Sequence, residues 1–370
     1  MSAVIAPPHD CLTPPELLAT LGEFDLDPCA SEFRIDQCYF GDCRDFMRAM
    51  IAVGGRKVQT IVTSPPYWGL RDYGVPGQIG REETPHEYVA TLVEVFRAAR
   101  ELLADDGTLW LNLGDSYATR KNGSKGNAAN DLSHSEWRRA HGVRSGGLPD
   151  GLKHKDLAGI PWRVALALQE DGWYLRQDII WHKPNPMPES VSDRCTKAHE
   201  YLFLLSKSSR YYFDAQAIRE PAAGDEHHRT KTGLVDYAER ARSRRNSFAR
   251  VTKNSAGEHG QKPQFRPDRE DVDYAGMRNK RSVWTVATEG YRGAHFAAFP
   301  SALIKPCILA GSRPGDIVFD PFLGSGTTAQ VAQALGRHWV GCELNQDYSP
   351  LQDERTRQRG LMLAAEGVAG

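Results

Sequence analysis

Residues 317–328, IVFDPFLGSGTT, limit what this chain can fold into more than any other stretch. A brief apolar run ends at Asp320, the chain turns through Gly324-Ser325-Gly326, and a helix is predicted from Thr327 to Leu335, followed by a second apolar run at residues 339–342. Strand, helix and strand in that order need a crossover connection, which makes the two strands parallel. Glycine lets the turn bend sharply and approach a ligand closely, and a helix start directs free amides at it. Glu343 stands 23 residues after Asp320, at the end of the following strand, where a carboxylate can accept hydrogen bonds from both hydroxyls of a ribose. The pattern points to an adenosine-bearing cofactor at the carboxyl end of a parallel sheet, with a merely structural turn as the alternative. No Lys-Ser or Lys-Thr follows the turn, and Thr327-Thr328-Ala329 stands where a dinucleotide site wants a third glycine. S-adenosylmethionine, which carries no phosphate, suits these residues, and the candidate contacts are Asp320, Phe322, Gly324, Ser325, Gly326, Thr327 and Glu343.

Two further units repeat the rhythm. Residues 58–62 form a β-branched run that stops at Thr63-Ser64-Pro65-Pro66, because two prolines cannot donate to a ladder. Thr84-Pro85-His86-Glu87 has the order of a capping box, and Val89, Leu92, Val93, Phe96, Ala99, Leu102 and Leu103 recur at helical spacing. This helix is predicted to end near Asp106-Gly107, with a strand at residues 108–113. Between Pro161 and Leu205 a helix-like PWRVALALQEDG precedes a strand-like YLRQDIIW and an apolar run at 201–205. The expected fold class is α/β, a doubly wound, mostly parallel Rossmann-like sheet.

Ser64-Pro65-Pro66-Tyr67-Trp68 follows its strand directly. An exocyclic amine on a nucleobase is a poor nucleophile because its lone pair is delocalised into the ring. Acceptors placed on the amine hydrogens favour a pyramidal nitrogen, and the Ser64 hydroxyl and the Pro65 carbonyl can be those acceptors. Tyr67 offers a ring on which an extruded base can stack, worth roughly 1–3 kcal/mol. A Pro-Pro loop with buried aromatics is the plainer alternative. Attack on a ring carbon would instead need a thiolate, and the Pro-Cys pairs, Pro28-Cys29 and Pro306-Cys307, stand in no suitable place.

Two stretches interrupt the α/β pattern. Residues 119–155 are rich in Gly, Asn and Ser and carry 8 basic against 3 acidic residues. Residues 219–281 carry 15 basic against 10 acidic residues, whereas the whole chain has a formal charge of -1. Either is a solvated loop or an insertion outside the core. The seven cysteines contain no C-x-x-C pair, so no metal site or disulfide framework is expected. The chain has no run of 18 apolar residues and begins without a basic, apolar leader, which leads to the expectation of a cytoplasmic protein of a bacterium or a phage-infected cell.

Taken together, TSPPYW at residues 63–68 and DPFLGSGTT at residues 320–328 closely resemble the two signature motifs of the DNA amino-methyltransferases, in the order of that family's beta group. Further matches are Gly41-Asp42-Cys43, WHKPNPMP at 181–188, His199-Glu200-Tyr201 and HFAAFP at 295–300, so the resemblance covers about residues 36–350. It implies methyl transfer from S-adenosylmethionine to the exocyclic amine of a flipped base in double-stranded DNA. Ser64, Pro65, Pro66 and Tyr67 would form the acceptor pocket, Asp42 would meet the cofactor's adenine, Phe299 and Pro300 its methionine side, and Glu343 its ribose. Serine before Pro-Pro-Tyr resembles the members that modify cytosine N4; adenine N6 is the alternative, and an RNA or small-amine methyltransferase or an inactive DNA-binding module are more distant ones. The implied organisation is an N-terminal extension (1–35), a catalytic half (36–210) with its insertion, a recognition region (211–290), a cofactor half (291–350) and a tail (351–370). Lys183, Arg240, Arg242, Arg244 and Arg245 are the expected DNA contacts. A cognate restriction endonuclease is an expected partner, and the chain is expected to be a monomer or homodimer. Residues 13–17 (TPPEL) and 24–30 (FDLDPCA) are similar to the opening of a phage-type adenine methyltransferase family, a pattern the rest of the chain does not continue.

Overall fold

The computed structural model describes residues 33–54, 57–70, 72–118, 151–221, 277–288 and 299–366. The N-terminal motifs, most of the 119–155 stretch, His295 to Ala298, and Arg240, Arg242, Arg244 and Arg245 lie outside the described residues.

Eight strands form one sheet: β1 (Gln37–Phe40), β2 (Val58–Thr63), β3 (Leu103–Leu113), β4 (Tyr174–His182), β5 (His199–Ser206), β8 (Val283–Thr285), β9 (Ile317–Asp320) and β10 (His338–Glu343). Their order across the sheet is β1-β10-β9-β2-β3-β5-β4-β8. The two remaining described strands, β6 (Glu220–Pro221) and β7 (Met277–Arg278), pair antiparallel with each other. They belong to a second compact unit, Arg219–Lys280, which falls within the stretch expected to hold the recognition region.

Every residue of β2 and of β9 is buried, the pattern of strands covered on both faces. Alternation sends their side chains to two cores. Ile61 and Phe319 join Phe46, Leu92, Phe96 and Val164 on one face, and Val62 and Val318 join Ile304, Ile308 and Ala332 on the other. The first face is covered by α1 (Cys43–Val53), α2 (Pro85–Leu102) and α3 (Ile160–Glu170), the second by α4 (Ser301–Gly311) and α5 (Thr327–Ala334). The capping box of α2 is present, with Glu87 N donating to Thr84 Oγ1 at 3.1 Å and Thr84 N to Glu87 Oε2 at 3.0 Å. Its buried face is Tyr88, Leu92, Val95, Phe96, Ala99 and Leu102, with Val89 and Val93 at the margin.

Three expectations change. The strand after α2 begins at Leu103 rather than Thr108, because buried Leu103 pairs with Val58 and the register shift before Thr108 absorbs the charged residues between. The stretch from Pro161 to Leu205 does not end in a parallel strand: β5 runs antiparallel to both β3 and β4. No helix stands between β4 and β5 to carry a crossover, so the chain returns in the opposite direction. The stretch expected to be a tail continues as the helix α6 (Ser349–Glu366). Among the described residues no helix is long and apolar enough to cross a membrane.

The arrangement that positions the site is the pairing of β2 with β9. They lie side by side and parallel, with Thr60 opposite Val318 and Ile61 opposite Phe319. From this pair the sheet extends through β10 and β1 on one side and through β3 on the other, so the order reverses between them. Ligands of open α/β sheets bind at such a switch point, outside the carboxyl ends of the strands.

Candidate active site

Both motif turns leave the same end of adjacent strands, and a buried carboxylate ties them together. Asp320 Oδ1 accepts from Thr63 Oγ1 at 2.6 Å and from Phe322 N at 3.0 Å, and its Oδ2 accepts from Thr328 Oγ1 at 2.6 Å. Asp320 is 0% exposed. Expected as a cofactor contact, it is instead an internal brace joining the end of β2, the turn after β9 and the start of α5, with its acceptors directed to protein donors. Burial raises its pKa to about 6, and three hydrogen bonds only partly oppose that rise. The sign follows: with the folded pKa above the ordinary 3.8, ionisation of Asp320 costs stability as pH climbs through 6, and the cost vanishes below about 4. Against an Asp320→Asn variant, the wild type should therefore gain about 1 kcal/mol in urea unfolding between pH 7 and pH 5, and about 3 kcal/mol in full at lower pH. A difference that stays constant between pH 7 and pH 5 would mean that burial leaves the pKa of Asp320 at its ordinary value.

The turn after β9 needs its glycines. Gly326 caps α5 at φ 87°, and a Cβ there would meet the backbone of Gln352 at 3.3 Å. Glu343, at the end of β10, is held by two backbone donors, Gly324 N to Oε2 at 2.8 Å and Asn345 N to Oε1 at 2.9 Å. Burial raises its pKa, against the pull of those amides. Asp42 caps α1 and binds Arg44 through both oxygens, at 2.6 to 3.2 Å. Burial alone would raise its pKa, but the Arg44 hydrogen bonds outweigh burial and hold it low.

These groups surround one cleft. Phe322, Gly324, Ser325 and Thr327 line it from the turn after β9 and the start of α5, Glu343 lines it from the end of β10, Asp42 and Phe299 line it from neighbouring segments, and Ser64 and Pro66 come from the turn after β2. A fixed carboxylate, the apolar Phe299 and Phe322, and Ser64 all opening on one cleft fit an adenosine-bearing sulfonium compound. Gly326 and Pro300, expected as cofactor contacts, stand at the starts of α5 and α4 and are not among the residues that line the cleft.

The turn after β2 is held from within. Pro65 is buried, and the Pro66 carbonyl accepts from Tyr88 Oη at 2.8 Å. The Tyr67 ring packs so closely on Gly114 that a Cβ there would lie 2.4 Å from ring atom Cε2. Tyr67 Oη donates to Glu200 Oε2 at 2.7 Å and accepts from Asn112 Nδ2 at 2.7 Å, so its hydroxyl is turned into a polar cluster behind Ser64.

Lys183 departs from expectation. Its ammonium pairs with Glu200 and lies 4.3 Å from the centre of the Trp181 ring, and its side chain is 18% exposed. It belongs to the cluster beside Ser64 rather than to an open phosphate-binding surface. Sequence reasoning also missed Asn112, Glu200 as a partner of Tyr67, and the loop carrying Tyr73, Val75 and Gln78, which lines the cleft. The closely spaced Gly74, Gly77 and Gly80 mark that loop, but no residue pattern announces its place over the cleft.

Residues 58–353 match the DNA methylase family. The chain is 44% identical over 329 residues to the type II methyltransferase M.SmaI of Serratia marcescens, covering 89% of this chain and 93% of that protein. It is 46% identical over 291 residues to the type II methyltransferase M.Cfr9I of Citrobacter freundii, covering 79% and 78%. Among solved structures, the PvuII DNA methyltransferase (cytosine-N4-specific) shares the fold at a TM-score of 0.53 and 17% identity, over 88% of this chain and 87% of that one. With its two motif turns opening on one cleft and its match extending through both, this chain belongs to the DNA methylase family.

Proposed function

We propose that this DNA methylase is a site-specific type II enzyme that methylates cytosine N4 in double-stranded DNA. S-adenosylmethionine is its methyl donor, and when bound it supplies an electrophilic methyl carbon. The observation that carries the reading is the hydrogen-bonded brace from Thr63 through Asp320 to Thr328, which fixes Ser64 and the Gly324-Ser325 turn on one cleft. The type II relatives at 44% and 46% identity support sequence-specific action on DNA. Serine at position 64, before Pro-Pro-Tyr, supports cytosine N4.

In this reading Glu343 accepts from the ribose hydroxyls, Asp42 faces the adenine, and Phe299 with Phe322 encloses the apolar part of the donor. Gly324, Ser325 and Thr327 shape the wall beside it, while Asp320, Gly326 and Pro300 hold that wall in place. Ser64 Oγ and the Pro65 carbonyl accept from the target amine, drawing its lone pair out of conjugation. Pro66 stiffens the turn, and Tyr67 supports Ser64 and borders the space for the extruded base. The basic stretch with Arg240, Arg242, Arg244 and Arg245 supplies phosphate contacts.

The test is methyl transfer from labelled donor to plasmid DNA, followed by nucleoside mass spectrometry and single-molecule sequencing. N4-methylcytosine in one sequence context is expected. N6-methyladenine would transfer the same mechanism to the other base, and label in RNA or free nucleoside but not in duplex DNA would overturn the substrate.

A further inference from the structure

Beside Ser64 three strand ends bring together a polar cluster. Asn112 lies on β3, Glu200 on β5, and Lys183 directly follows β4. Glu200 Oε2 accepts from Tyr67 Oη at 2.7 Å and from Asn112 Nδ2 at 3.0 Å, while Oε1 is ion-paired with Lys183 Nζ. Ser64 Oγ lies 3.3 Å from Tyr67 Oη and 3.4 Å from Asn112 Nδ2.

The directions of these bonds are forced. A carboxylate paired with a lysine only accepts, so the Tyr67 hydrogen goes to Glu200. The phenol oxygen then has only lone pairs to offer, so the Ser64 hydrogen goes to Tyr67. Asn112 adds donors alone, because its Nδ2 faces all three oxygens. Ser64, which lines the cleft, is left to meet a ligand there as an acceptor.

We infer that Glu200, held by Lys183, is a positioning residue that sets the polarity of the chain Ser64–Tyr67–Glu200, so that Ser64 accepts from the target amine and the chain then removes its proton. The inference rests on the amine-methylation reading above. As the amine lone pair forms the new N–C bond, the C–S bond of the donor breaks and its electrons stay on sulfur. The nitrogen, now cationic, releases one proton to Ser64 Oγ, Ser64 passes its own hydrogen to Tyr67 Oη, and Tyr67 passes its own to Glu200 Oε2. The sulfonium charge is thereby cancelled by the carboxylate. Burial, reinforced by the charge of Glu200, raises the phenol of Tyr67 well above its ordinary range, so Tyr67 relays as a neutral hydroxyl.

Glu200→Gln keeps the size of the side chain but can turn an NH2 toward Tyr67, which reverses the chain and points the Ser64 hydrogen into the cleft. Such a pocket should accept a carbonyl where the wild type accepts an amine. The probes are duplexes carrying the site identified by the methylation assay, with the target cytosine or with uracil in its place (hypoxanthine if the target is adenine). Equilibrium binding and single-turnover methyl transfer are measured for wild type, Glu200→Gln, Tyr67→Phe and the double variant. The wild type should prefer the amine duplex, and Glu200→Gln should reduce that preference about tenfold. Its methyl transfer should slow about 10²-fold with cofactor affinity retained. Because Glu200 acts through Tyr67, the double variant should be no slower than Tyr67→Phe, within about twofold. Tyr67→Phe, which removes a single oxygen, asks the same binding question if Glu200→Gln does not fold. An unchanged base preference in either single variant, or a double variant slowed by the product of the two, overturns the role of Glu200. A wild type that modifies no duplex overturns the amine-methylation reading and this inference with it.

Discussion

Ser64→Ala is expected to slow methyl transfer by about 10²–10³-fold while S-adenosylmethionine binds with nearly unchanged affinity. The hydroxyl is a small part of the cleft wall, so little cofactor contact is lost, but the amine loses an acceptor positioned by Tyr67 and Asn112. The turn itself should survive, since buried Pro65 and the bond from Tyr88 to the Pro66 carbonyl are untouched. Single-turnover kinetics beside isothermal titration with the cofactor separates the two quantities. Equal losses of both would show that Ser64 belongs to cofactor binding rather than to acceptor activation.

Glu343→Ala should behave in the opposite way. Its carboxylate is held by Gly324 N and Asn345 N on the wall of the cleft, and each oxygen retains lone-pair capacity for a ribose hydroxyl. Hydrogen bonds to a charged group contribute about 1.5–3 kcal/mol each, so losing the pair should weaken cofactor binding by about 3 kcal/mol, or roughly 10²-fold. The effect should appear in calorimetric Kd and in KM for the cofactor, with the rate at saturation much less affected. A variant that binds the cofactor normally but transfers slowly would place the ribose elsewhere.

What could be read from the chain alone was local. The turn from β9 into α5, the carboxylate that ends β10 and the capping box of α2 each lie within a short segment whose glycines, apolar spacing or cap residues have one physical interpretation. The brace at Asp320 was half legible: an acid after an apolar strand was evident, but its bond to Thr63 spans 257 residues, and only the adjacency of β2 and β9 turns it inward. The reversed direction of β5 follows from a missing crossover helix, which an apolar run at 201–205 does not reveal. Lys183 was misread for a related reason. A lysine beside tryptophan and prolines looks like a surface cation until the antiparallel pairing of β4 with β5 brings Glu200 alongside. Tyr67 and Glu200 are likewise 133 residues apart, and no local pattern joins them.

The shared cleft is the central claim, and a crystal structure of the protein with S-adenosylmethionine tests it most directly. Glu343 should lie within hydrogen-bond distance of the ribose hydroxyls, and the methyl carbon should face Ser64. A cofactor seated away from Glu343, or with its methyl carbon turned from the Ser64 side of the cleft, would contradict it.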